Sequence, residues 1–186
     1  PHQPRPVNIV IGYTEYKCKE EIVGMPQRGF WAIEPTRVIR FGKDGRWYAN
    51  DEPIGNRRIN VLFSQCLQLN QNGQYELVVG KDRTSVQVED TPYVVTGVAL
   101  TPEGDFIINL NDKSEETLAP ETLSIGDEHV LYCMVKERTF SARFLRHAYY
   151  QLAEYIAEGP RGAAYILRVR QGTYQILPKS KLSSDK

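Results

Sequence analysis

Short runs of alternating apolar residues, separated by turns that contain glycine, most constrain the fold of this chain. The runs QYELVVG, TSVQVED, YVVTGVAL and DFIINL follow one another through its middle, and Pro102-Glu103-Gly104 separates the last two. Such alternation suits strands that bury one face, and short turns join strands that are neighbours in sequence. The middle of the chain is therefore predicted to be a series of antiparallel strands.

A hairpin and a first helix are predicted before this series. TRVIRF and RWYAN flank Gly42-Lys43-Asp44-Gly45, which is typical of a β-hairpin because Asp-Gly accepts the positive φ that such turns require. Apolar residues at three- and four-residue spacing predict a helix from about Asn56 to Asn70, with Asn56 as its N-cap. The turn Asn72-Gly73 is predicted to end this helix.

A second helix and two closing strands are predicted after a polar connection from Asn111 to Glu128. The strand HVLYCMVK follows the connection. An apolar stripe then predicts a longer helix from about Thr139 to Glu158, which Gly159-Pro160 would end. AYILRVR and TYQILP are predicted to be strands on either side of Gln171-Gly172.

This order of elements predicts an α+β fold of small antiparallel sheets with two main helices. A strand-helix-strand arrangement around residues 45–79 and again around 129–169 indicates a repeated motif. The predicted organisation is an N-terminal extension at 1–35, a first α+β unit at 36–110, a second at 111–178, and a flexible tail at 179–186.

Charge and hydropathy argue against two classes of partner. Basic and acidic residues both number 23, and a net charge of zero argues against a nucleic-acid binder, which needs a basic excess. No stretch reaches the roughly 18 apolar residues that a membrane span needs. We therefore expect a cytoplasmic protein that binds neither nucleic acid nor membrane.

The cysteines and the motif content point to no metal, cofactor or catalytic residue. Cys18, Cys66 and Cys133 are far apart and are expected to be free thiols, those of Cys66 and Cys133 buried. No glycine pattern forms a phosphate loop, and no serine lies in a G-x-S-x-G elbow. The sequence therefore predicts neither a cofactor nor a metal site, and it assigns no catalytic residue.

Six residues are candidates for a ligand-binding site: Arg57, Arg58, Glu89, Asp90, Tyr93 and Trp47. The two arginines lie in the first turn of the first predicted helix, where the positive end of the helix dipole disfavours cations. A bound anion or a carboxylate partner would explain them, and two solvated arginines are the alternative. Glu89 and Asp90 are adjacent in a strand and so point to opposite faces. Either could pair with an arginine, or Asp90 could stabilise a turn at Thr91-Pro92.

Aromatic side chains could complete such a site. Trp47 and the pair Tyr149-Tyr150 are candidates to line a pocket, although aromatic residues mostly build cores.

Several of these segments carry a resemblance to a known family. DGRWYANDEPIG, INVLF, GQYELVV, SVQVEDTPY, FIINLND and RFLRHAYYQLAEYI occur in order between residues 38 and 177. This stretch resembles the bacterial domain-of-unknown-function family 1285. The resemblance implies a cytoplasmic α+β protein of repeated structural motifs, a role in signalling or regulation, and no known catalytic residues.

Three functions follow as hypotheses. The first is a non-enzymatic module, with a role in signal transduction or regulation, that binds a small anionic ligand or a protein partner at the six candidate residues. The second is an enzyme that uses Glu89, Asp90 and Asp112 in a cleft. The third is a homo-oligomeric interaction protein, because so many short strands leave edges that must be covered.

Overall fold

Strands dominate the structure, a computed structural model that describes residues 38–80, 82–159, 165–170 and 172–179. Within these ranges the chain forms two sheets and two α-helices. The α+β class is thus confirmed, with more strand and less helix than the sequence predicts. The predicted extension at 1–35 lies outside the described residues, as does the tail beyond Lys179.

The first sheet has six strands, in the order β3-β2-β1-β6-β5-β4. Its elements are β1 (Ile39–Phe41), β2 (Trp47–Ala49), β3 (Glu52–Pro53), α1 (Arg57–Gln65), β4 (Leu67–Leu69), β5 (Tyr75–Val79) and β6 (Asp82–Val88). β1 and β2 form the predicted hairpin, with Phe41 opposite Trp47.

The second sheet has nine strands, in the order β13-β14-β15-β10-β11-β12-β7-β8-β9. Its elements are β7 (Tyr93–Leu100), β8 (Phe106–Leu110), β9 (Glu115–Thr117), β10 (Ser124–Ile125), β11 (Leu131–Val135), β12 (Phe140–Phe144), α2 (Arg146–Ala153), β13 (Ile156–Glu158), β14 (Tyr165–Val169) and β15 (Gly172–Pro178). The four predicted strands in the middle of the chain are present, but as two antiparallel pairs in different sheets: β5 with β6 in the first and β7 with β8 in the second.

Both sheets are mixed, which corrects the prediction of antiparallel sheets. β1 pairs in parallel with β6, β7 with β12, and β10 with β15. These three pairs join strands that are distant in sequence. Turn residues indicate only the antiparallel neighbours, so sequence patterns gave no sign of these pairs.

The first helix is shorter than predicted. Asn56 caps α1 as expected, since its Oδ1 accepts hydrogen bonds from the backbone N–H of Arg58 at 2.9 Å and Ile59 at 3.4 Å. The helix ends before Cys66, and the last residues of the predicted helix, Leu67–Leu69, form strand β4. β4 pairs with β5 across the turn at Asn72-Gly73, so this turn joins two strands and does not end the helix.

The second predicted helix is wrong at both ends. Only Arg146–Ala153 is helical, whereas its predicted start is β12 and its predicted end is β13. Ala142 and Phe144 are both buried because β12 lies between β11 and β7 in the sheet. A spacing of four residues, as between Phe140 and Phe144, fits a strand face as well as a helix stripe, so the apolar pattern does not separate the two. The described residues do not show the predicted repeat of a strand-helix-strand motif.

Two hydrophobic clusters support these elements. In the first sheet, the Trp47 ring lies between Phe41 and Phe63, with centroid distances of 4.9 and 5.4 Å. The core of the second sheet contains fully buried apolar side chains from its strands and from α2, among them Val95, Leu110, Leu131, Leu152 and Leu167.

The cysteines only partly match the expectation of free thiols. Cys133 is free and buried, as predicted. Cys66 is fully buried but forms a disulfide bond, so the prediction of a free thiol is wrong there. Cys18 lies outside the described residues. Disulfide bonds are rare in reducing compartments, so the bond at Cys66 gives no support to the expected cytoplasmic location.

Candidate functional site

Trp47 is a core residue in this structure. Its side chain is fully buried, and its Nε1–H donates a hydrogen bond of 3.0 Å to Oγ of Ser64 on α1. Burial of this large ring explains its position without a ligand.

Arg57 and Arg58 are exposed in the first turn of α1, where the sequence predicts them. That turn contains no acidic residue. Among the described residues, the cationic partners of Glu89 and Asp90 are Arg40, Arg143 and Lys179. Glu89 and Asp90 therefore pair with cations elsewhere in the chain, and not with Arg57 or Arg58 as the sequence suggested.

Glu89 belongs to a surface cluster on the first sheet. Its carboxylate bonds to the guanidinium of Arg40 and accepts a hydrogen bond of 2.9 Å from the backbone N–H of Lys43. The Arg40 guanidinium also lies 4.1 Å from the ring centroid of Tyr48 and 3.3 Å from Asp51. Glu89 thus fastens the β1–β2 hairpin to the end of β6.

Asp90 belongs to a separate cluster on the second sheet. Its Oδ2 accepts hydrogen bonds from Arg143 and from the hydroxyl of Tyr132, each at 2.9 Å, and Lys179 Nζ lies 3.4 Å from Oδ1. Burial alone would raise the pKa of Asp90, but these hydrogen bonds and the Lys179 charge outweigh it, so the pKa lies below its ordinary value. Glu89 and Asp90 therefore bind different partners, as expected for neighbouring residues whose side chains point to opposite faces.

Tyr93 is buried in the second sheet, where it packs against Phe140 at a centroid distance of 5.4 Å. The Lys136 ammonium lies 5.3 Å from its ring centroid and 2.7 Å from the carboxylate of Asp112. Lys136 and Asp112 are themselves buried. Of the six predicted site residues, Trp47 and Tyr93 therefore lie in cores, Glu89 and Asp90 in two separate ion clusters, and the two arginines on the surface of α1. The contacts described above join them into no common pocket.

A groove beside the Asp90 cluster brings together residues that the sequence did not group. Its volume is about 350 Å³. It is lined by Glu128, His129, Arg143, Arg146, Tyr149 and Tyr150, together with Val130, Leu131 and Phe144. We call it the arginine groove. Of the aromatic residues considered for a pocket, Tyr149 and Tyr150 do line one.

Local geometry positions each polar group of the arginine groove. Arg143 on β12 is held by Asp90 at 2.9 Å. Arg146 begins α2, and its guanidinium lies 5.8 Å from the ring centroid of Tyr150 and 3.4 Å from the Tyr150 hydroxyl. Glu128 and His129 both have positive φ, at 55° and 57°, which turns the chain sharply before β11. Three separate stretches of sequence therefore supply the groove.

The chemistry of the arginine groove favours anions. Its lining carries two guanidinium groups and an imidazole but only one carboxylate, that of Glu128, while Asp90 pairs with Arg143 from outside the lining. Arginine presents a planar set of donors that matches a carboxylate or a phosphate. Glu89, Asp90 and Asp112, the carboxylates of the enzyme hypothesis, are outside the lining of the groove. The lowered pKa of Asp90 is the opposite of what a general acid at neutral pH requires.

The described residues form neither a metal-binding cluster nor a membrane-spanning helix. In the ranges that the structure describes, no cluster of three or more histidine, cysteine, aspartate or glutamate side chains is arranged to hold a metal ion. Neither α1 nor α2 is long and apolar enough to cross a membrane.

Comparison with known proteins gives one family match and two related structures. Residues 32–91 match the model of the N-terminal domain of DUF1285, a domain of unknown function. No curated protein matches this chain.

The related structures are both DUF1285 family proteins. The first, from Silicibacter pomeroyi DSS-3, has a TM-score of 0.60 and 16% identity and covers 78% of this chain and 82% of its own. The second, from Shewanella baltica OS155, has a TM-score of 0.52 and 17% identity and covers 64% of this chain and 93% of its own. These likenesses show a shared fold. The resemblance to DUF1285 is therefore confirmed, with the family-model match at residues 32–91.

Proposed function

We propose that this protein is a non-enzymatic binding module whose arginine groove recognises the carboxylate or phosphate of a small molecule. The observation that carries the proposal is a groove of about 350 Å³ with Arg143, Arg146 and His129 in its lining. Concave sites of a few hundred Å³ with a few convergent polar groups are typical of small-molecule binding.

Arg143 is suited to hold an anion in a fixed position. Its bond to Asp90 immobilises the guanidinium before any ligand arrives, which reduces the entropy lost on binding. Tyr132 and Lys179 in turn hold Asp90. Asp90, Tyr132 and Lys179 therefore hold Arg143 in position without lining the groove themselves.

Arg146 is placed to bind the anion from the solvent-exposed side of the groove. It is exposed and lies at the first position of α2. No acidic side chain is in the first turn of α2, and no side chain caps it, so nearby groups do not neutralise the positive end of the helix dipole. The exposed ring of Tyr150 supports the guanidinium at 5.8 Å.

The proposal is tested by NMR titration of the ¹⁵N-labelled protein with inorganic phosphate and with acetate. We expect shifts at the amides of residues 128–131 and 143–150. Arg146→Ala should weaken binding by roughly tenfold to a hundredfold, because a hydrogen bond to a charged group contributes about 1.5–3 kcal/mol. The double variant Arg57→Ala/Arg58→Ala is the matched control and should leave affinity unchanged.

The same titration tests the site predicted from sequence. Arg57 and Arg58 remain candidates for an anion site because both are exposed in the first turn of α1. If the double variant loses binding while Arg146→Ala keeps it, the anion binds at α1 and the groove assignment is wrong. If neither anion shifts any resonance, the binding function itself is refuted.

A regulatory role in the cytoplasm belongs to the same proposal. A module that binds a small anion without converting it would report the concentration of that anion, which is consistent with the signalling role that the family resemblance implies. Self-association and a protein partner remain predictions. Light scattering of the free and anion-bound protein tests whether the ligand changes the subunit count.

A further inference from the structure

We infer that the anion bound by the arginine groove carries a short apolar group, of about phenyl or hexyl size, which enters an adjoining apolar cavity. This inference rests on the proposed function, because it assumes that the acidic end of the ligand binds in the groove. It extends that function by naming the ligand class as short amphipathic carboxylates or phosphates.

The adjoining cavity is apolar. Its volume is about 200 Å³, and its lining includes Ile125, Leu131, Ala153, Ile156 and Ile176. Among its described lining residues, Glu158 alone is charged, and Glu158 is exposed. Apolar walls of this kind gain free energy when a hydrocarbon group displaces water from them.

The cavity and the groove share walls. Leu131 and Tyr149 line both of them. His129 of the groove and Tyr165 of the cavity are also in contact, edge to face, with ring centroids 6.4 Å apart. A ligand held by Arg143 and Arg146 can therefore place its apolar part on the far side of the Tyr149 ring.

The volume of the cavity sets the size of the apolar part. Apolar cavities of about 150 Å³ bind benzene. A cavity of about 200 Å³ accordingly accepts a phenyl ring or a chain of roughly six to eight carbons. Longer chains would have to extend into solvent, so they should bind no more tightly.

A homologous series of carboxylates tests the inference. Calorimetric titration with acetate, butanoate, hexanoate, octanoate and dodecanoate should give a Kd that falls by about threefold to fourfold for each methylene buried. The decrease should level off between about six and eight carbons. Hexanol, which lacks the acidic group, should bind at least tenfold more weakly than hexanoate.

Variants in the cavity and in the groove test separately where the apolar end and the acidic end of the ligand bind. Ala153→Phe fills the cavity, so it should abolish the dependence of Kd on chain length while acetate binds as before. Ala157→Phe fills the cavity from β13 and replaces it if the first variant does not fold. Arg146→Ala should weaken the whole series, acetate included, and Arg58→Ala is its matched control.

The outcomes distinguish the two proposals. If Kd is the same from acetate to octanoate while Arg146→Ala still weakens binding, the arginine groove binds anions and the amphipathic ligand class is wrong. If no member of the series binds, the proposed function fails, and this inference fails with it. A chain-length dependence that persists in both cavity-filling variants also overturns the inference, because the apolar group would then lie elsewhere.

Discussion

The ammonium group of Lys136 lies 2.7 Å from the carboxylate of Asp112, and both side chains are less than one-tenth exposed. Glu116 Oε1 is 3.2 Å from the same ammonium, and Glu116 also accepts a hydrogen bond of 2.9 Å from the Lys136 backbone N–H. Lys136, Glu137 and Arg138 have φ of 53°, 55° and 65°, which forms the tight turn between β11 and β12. This ion cluster therefore joins that turn to the β8–β9 hairpin.

Replacing Lys136 with methionine should destabilise the fold strongly. The variant leaves the carboxylates of Asp112 and Glu116 without their cation, and breaking a buried ion pair from one side costs about 3–5 kcal/mol. Urea unfolding followed by circular dichroism measures the free energy of unfolding.

Arg83→Met is the matched control for this variant. Arg83 pairs with Glu76 at 2.7 Å, but its side chain is 65% exposed, so its loss should change stability by less than about 1 kcal/mol. Equal effects of the two substitutions would show that the Lys136 pair contributes no more than a surface pair.

Ser64→Ala should loosen the connection between α1 and the second sheet. Ser64 Oγ is buried, accepts hydrogen bonds from Trp47 Nε1 at 3.0 Å and Asn111 Nδ2 at 2.8 Å, and donates to the Asn60 carbonyl at 2.9 Å. Its removal leaves two donors unpaired, at a cost of about 1–3 kcal/mol. Urea unfolding should show this loss, whereas Ser85→Ala, at an exposed strand position, should stay within about 0.5 kcal/mol of the wild type.

The sequence predicted those elements whose signals are local. The hairpin at Gly42–Gly45, the Asn56 cap and the strand Phe106–Leu110 depend on turn chemistry, capping or strict alternation within a few residues. The β4 and β12 strands were predicted as helix because the spacing of their apolar residues fits both periods. β4 is a strand because it pairs with β5, and β12 is a strand because it pairs with β7 and β11. The local sequence pattern does not indicate such pairing.

The candidate site is harder to predict than the fold, because its parts are far apart in the chain. The Asp90 cluster combines residues 90, 132, 143 and 179, and the arginine groove combines three stretches between residues 128 and 150. Arg143 falls within the predicted helix from about Thr139 to Glu158, whereas the structure places it on strand β12. Only the parallel pairing of β12 with β7 explains why Arg143 reaches Asp90.

Stability should fall in acid in part because of Asp90. Its pKa is lowered in the folded protein, so its contribution is present above the unfolded pKa of about 3.9 and is lost as pH falls through the folded pKa. Asp90→Asn should therefore be less stable than the wild type at pH 7 and should lose less stability between about pH 4 and pH 2. Urea unfolding at a series of pH values measures both curves; parallel curves through this window would show that Asp90 is not shifted.

Cys133 should not react with thiol reagents in the folded protein. Burial, followed by the negative charge of Glu116, raises the pKa of the Cys133 thiol, so almost no thiolate is present at neutral pH. Its side chain is also inaccessible, at 1% exposure, in the middle of β11. Iodoacetamide labelling at pH 8 with peptide mass spectrometry should therefore detect modified Cys133 only in urea, at the rate of unfolding. Rapid labelling without urea would mean that β11 opens locally.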